Sequence, residues 1–105
     1  MDGTSQLWIG LVHLRPRKKG NKDFAGAYTN IITWACDSAS FQTKAETIAA
    51  TMDLYVVEIE DEEPLVERTS DSTLSEELED MRARAEFNPN AIVYGTFHQY
   101  SHDDA

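Results

Sequence analysis

A single cysteine among 105 residues excludes an intramolecular disulfide. No run approaches the ~20 apolar residues that a membrane helix requires. The opening MDGTSQ carries Asp2 where a secretory leader would carry basic residues. These absences lead to the expectation of a cytoplasmic protein without membrane contact. Basic side chains are scarce as well. Nine Lys and Arg stand against nineteen Asp and Glu, for a formal net charge of −10. A surface of that sign repels nucleic acid and anionic lipid and attracts basic partners. The chain has no phosphate-binding glycine loop, no nucleophile elbow and no paired catalytic carboxylates. No cofactor and no catalytic residue are therefore assigned. Internal repeats and low-complexity segments are absent too.

What is present suits one packed core. Hydrophobic residues make up 41% of the chain and aromatic residues 10%, too apolar for a disordered segment. Residues 1–105 read as one domain, with flexible ends at 1–5 and 101–105. QLWIGLVHLRP (6–16) is an apolar run ending at proline, and reads as a strand. RKKGNKDFAG (17–26) is a polar, glycine-bearing loop, and AYTNIITWAC (27–36) is a second strand. The two form a hairpin with a long tip.

The period then changes. Phe41, Ala45, Ile48, Ala49 and Met52 lie on one face of a helix, with Asp37 or Ser38 as its N-cap. LYVVEIE (54–60) is a third strand that decays into the acid run Glu60-Asp61-Glu62-Glu63. Residues 64–72 show no period and read as a connection. Thr73 and Glu76 match a capping box, and Leu74, Leu78, Met81 and Ala85 mark a second helix, stopped at Asn88-Pro89-Asn90. AIVYGTFHQY (91–100) is a fourth strand. The order β-β-α-β-α-β predicts an α+β fold: a two-layer sandwich with a four-stranded sheet and two helices on one face. It is ferredoxin-like in its layers, with right-handed crossovers through both helices.

In that arrangement the second sheet face is open. Strand alternation separates Ala27, Thr29, Ile31 and Thr33, which suit packing under helices, from Tyr28, Asn30, Ile32 and Trp34. Tyr28, Trp34, Tyr94, His98 and Tyr100 form an aromatic set with polar handles. Such residues are enriched at interfaces, and they also make ordinary cross-strand pairs. The loop side chains Arg15, Arg17, Lys18, Lys19 and Lys22 could contact an anion. No interleaved aromatic is there to stack a base, so the tip reads as a solvated turn or a contact for an acidic region rather than a nucleic-acid site. The acid run 58–63 lacks the glycine of a calcium loop. It reads as a solvated strand end or a contact for a basic partner. Cys36 precedes a helix, where a thiol can become reactive, but a lone cysteine usually packs as a small apolar group. His13, His98 and His102 lack metal-binding spacing, so no metal is expected.

Two functions fit these observations. The first is an acidic, non-catalytic module that captures a basic protein. It is similar in size and charge to the immunity proteins and antitoxins that neutralise basic nucleases. The second is a homodimer whose paired sheet faces enclose a small-molecule or catalytic cavity lined by the aromatic set. The lopsided charge and the missing catalytic constellation favour the first.

Overall fold

The computed structural model describes residues 5–17, 25–71 and 73–100. Its elements are β1 (Gln6–Pro16), β2 (Gly26–Ala35), α1 (Ser38–Thr51), β3 (Leu54–Pro64), α2 (Leu65–Asp71), α3 (Glu76–Phe87), β4 (Ile92–Tyr94) and β5 (His98–Tyr100). They form an α+β fold. β1 and β2 pair as the expected antiparallel hairpin, from Gln6 opposite Ala35 to Leu14 opposite Ala27. β3 adds to the outer side of β1, and both β4 and β5 add to β2, all antiparallel. The order is β3-β1-β2 followed by the β4/β5 edge. β2 and β3 therefore run parallel with β1 between them, so α1 crosses over β1. β4 and β5 run opposite to β3, so the second connection is not a parallel crossover.

The helices lie on both faces of the sheet, which corrects the expected single helical layer. Neighbouring residues of one strand point to opposite faces, and here they enter different cores. Val12, Leu14 and Ile31 pack with Phe41, Ala45 and Ala49 of α1. Ile9 and Ile32 pack with Leu65 of α2 and with Met81 and Ala85 of α3. The alternation within β2 is as expected: Ala27, Thr29, Ile31 and Thr33 are all buried, on the α1 face. Its other set is divided. Ile32 and Trp34 lie at the α2/α3 end of the opposite face, whereas Tyr28 and Asn30 lie beyond those helices.

Local chemistry sets the element ends. Asp37 caps α1, its Oδ1 accepting from the Ser40 amide at 2.8 Å. The cap of α3 is Ser75 rather than Thr73, with Ser75 Oγ accepting from the Leu78 amide. Residues 65–71, expected as a connection, form the short helix α2. The acid run belongs to β3, because Pro64 and Glu63 still pair with Trp8 and Ile9. Glutamate and aspartate are poor strand formers, and the ladder to β1 overrides that preference. Asp61 carries the strain of the irregular pairing at φ 55.

The expected last strand is broken into two. Tyr94 pairs with Ile31 and His98 with Tyr28. Four steps along this chain thus oppose three steps of β2, the one-residue excess of a bulge. Gly95 donates its amide to Asn30 O at 3.0 Å, and the Glu77 carboxylate accepts from both the amide and the hydroxyl of Thr96. These bonds hold the Glu77 carboxyl below the usual glutamate range. A one-residue slip flips the facing of every later side chain. Tyr94 therefore faces α1, and His98 and Tyr100 face the other way.

Candidate functional site

On the face carrying α2 and α3, those helices cover only the end with Leu7, Ile9, Ile32 and Trp34. The other end is the candidate site, and it is built from strand registers. Glu58 of β3, His13 of β1, Tyr28 of β2 and His98 of β5 lie in one row across four strands. The adjacent row holds Glu60, Leu11 and Asn30. His13 and Tyr28 stack with ring centroids 4.3 Å apart and planes 11° apart. Tyr100 leans over from β5, and its hydroxyl lies 2.5 Å from His13 Nε2. Arg15 Nε donates to the same hydroxyl at 3.4 Å.

Gly26 makes this crossing possible. A Cβ there would fall 2.4 Å from the Tyr100 hydroxyl and 2.7 Å from the Leu14 carbonyl oxygen. The second clash is with backbone, so it has no side-chain rotation to relieve it.

The electrostatics of the patch are divided. Burial and then the Arg15 guanidinium push the His13 imidazole below its ordinary value, while Glu58 opposes them. The neighbouring Glu58 raises the Glu60 carboxyl, with some burial and the charge of Asp61 adding to it. The result is a ring cluster with Arg15 at one end and two carboxylates of an edge strand at its side. His13 is therefore expected to titrate below ~6.5, and Arg15→Gln is expected to raise its midpoint. The uncharged form is favoured by folding, so this contribution to stability is present above the ordinary histidine value and lost as the pH falls. Histidine-resolved NMR titration of both proteins tests this, and an unchanged His13 midpoint in the variant contradicts it.

The five aromatic candidates are separated by the fold. Tyr28, His98 and Tyr100 meet in the patch. Trp34 shares their face but lies at the α3 end, its indole N–H donating to Ala85 O at 2.8 Å. Tyr94 is on the α1 face, edge-on to Phe97 with centroids 5.5 Å apart. Sequence reasoning missed His13, Arg15 and Glu58 as members of the patch. Leu11, His13 and Arg15 are two apart along β1, so they share a face, but their neighbours come from long-range pairing.

The basic loop is only partly described. Arg15 is turned to Tyr100, and Arg17 Nε donates to Leu54 O at 3.1 Å while its amide bonds Asp53 O. Lys18, Lys19 and Lys22 lie outside the described residues, as does His102. Cys36 is exposed between β2 and the α1 cap. Among the described residues, no group of three or more His, Cys, Asp or Glu is placed to hold a metal ion. No helix among them is long and apolar enough to cross a membrane. No family model matches the chain, and no curated protein or solved structure matches it significantly.

Proposed function

We propose that this chain is a non-catalytic binding module that captures a basic protein on the uncovered half of its sheet. The observation that carries this reading is the position of the acid run. Glu58, Glu60, Asp61, Glu62 and Glu63 all lie on β3, which is an edge strand. An edge presents backbone groups open to pairing, and here it adjoins half-buried Tyr28, Tyr100 and His13. Tyrosines supply contact area at low entropy cost, and the carboxylates select a cationic surface and speed its approach. Two copies of this edge would bring like charges together, which opposes self-pairing.

The test is capture on the immobilised chain from a cell extract, first at about 20 mM and then at about 500 mM salt, concentrations at which the Debye length falls from roughly 20 Å to roughly 4 Å. A basic protein retained at low salt and released by high salt is the expected result. Retention that ignores salt, or retention of acidic proteins, contradicts the proposal.

A further inference from the structure

At the opposite end of the same face, α2 and α3 leave a cleft of about 480 Å³ between them. That size falls within the roughly 300–1,000 Å³ of small-molecule sites. Leu7 and Trp34 enter it from the sheet, and Leu65 and Val66 from α2. Val66 is 64% exposed although its neighbour Leu65 is buried, so apolar surface continues outward to the rim. The Trp34 ring is held in place by its hydrogen bond to Ala85 O.

The third wall is charged in a particular way. Arg82 of α3 binds Glu79 on one side and Glu86 on the other, the latter at 3.0 Å. Two carboxylates thus share one guanidinium, and the wall keeps a net negative charge. Arg82 engages Oε1 of Glu79 and Oε2 of Glu86, which leaves the second oxygen of each carboxylate to accept from an incoming donor. An anion entering here meets two carboxylates around a neutralised arginine. A cation meets two carboxylate acceptors beside the Trp34 indole. A second copy of the chain would bring its own excess of negative charge to this wall.

We propose that the cleft binds a small amphiphile with an apolar body and one ammonium group. The apolar body lies against Trp34, Leu65 and Val66, and the ammonium is held by Glu79 and Glu86. This site is separate from the sheet patch and does not depend on capture of a basic protein.

The test is an NMR titration of the full chain at pH 7 and fixed ionic strength. The probes are octylammonium chloride and sodium octanoate, which share a chain length and differ in the sign of the head group. Trp34 is the reporter, and Trp8→Phe identifies which of the two indole N–H signals belongs to it. Octylammonium is expected to shift the Trp34 indole and the Leu65, Val66 and Thr69 amides saturably, with a Kd at least tenfold below that of octanoate. The combined Glu79→Gln and Glu86→Gln variant frees Arg82 and is expected to reverse that order. Should the pair of substitutions unfold the helix, Val66→Arg at the exposed rim serves instead. It is expected to weaken octylammonium at least tenfold while leaving octanoate unweakened. Equal affinity for the two probes, shifts that do not saturate, or shifts centred on His13 and Tyr28 overturn the proposal. So does a variant that folds and keeps the original preference.

Discussion

Phe41→Ala is expected to lower unfolding free energy by about 3–5 kcal/mol, the range for deleting a fully buried aromatic ring. The side chain is 0% exposed and is the largest fully buried residue of the core. Its ring sits over β1 at Gly10, where an added Cβ would fall 2.8 Å from a ring carbon. Trp8 stacks beside it with centroids 6.4 Å apart. Neighbours on two sides are a helix and a strand, so backbone limits how far the hole can close. A domain of this size is stable by about 5–15 kcal/mol, and the substitution removes a large part of that. Urea unfolding should show a midpoint lower by about 2 M at an unchanged slope of roughly 1–3 kcal/mol/M. Phe87→Ala is the control. That ring is 91% exposed, and its loss is expected to change stability by no more than ~0.5 kcal/mol. Equal losses at the two positions would refute the packing of α1 on this face.

Replacing Glu58 and Glu60 by lysine is expected to slow association with a captured basic partner at least tenfold, within the roughly 10–10³ range of electrostatic steering. The dissociation rate should change less, because both side chains are exposed and rim charges act mainly on encounter. Distance decides why these two matter more than the total charge. At physiological salt, fields fade over about 8 Å, while the molecule is 42 Å along its longest axis. A partner at the sheet therefore responds to the carboxylates near it. Glu46→Lys on α1, across the sheet, is expected to have a much smaller effect. Stopped-flow association at physiological salt measures all three proteins. An association rate that does not fall in the double variant, or falls equally with Glu46→Lys, would remove the sheet patch as the docking surface.

Much of the element order was legible in the sequence. The period of Phe41, Ala45 and Ala49 marks α1 and its buried stripe, and Asp37 caps it, because both signals are local to one helix. The hairpin and the buried set Ala27, Thr29, Ile31 and Thr33 were legible for the same reason. The seven residues of α2 were not. So short a helix, with Leu65 buried and Val66 exposed, shows no repeat from which a period can be read.

The site depended on choices that local patterns leave open. An amphipathic helix declares one apolar side, but not which face of the sheet it will cover. β2 offers Ile31 and Thr33 on one face and Ile32 and Trp34 on the other, and strands apolar on both faces are stable between two layers. Helices on opposite faces are the outcome, and the uncovered patch is what α2 and α3 are too short to reach. The bulge at residues 95–97 then parted Tyr94 from His98, which a continuous strand would have kept together. By itself, the sequence determined the β1–β2 hairpin, the start of β3 and the two longer helices, where those helices bury their stripes, and that acidic charge gathers in residues 58–63. Only the tertiary structure decided that these acids line an edge, and that His13, Tyr28 and Tyr100 stand beside them. Those contacts join residues as much as 87 positions apart, and their pairing is set by strand order rather than by any local preference.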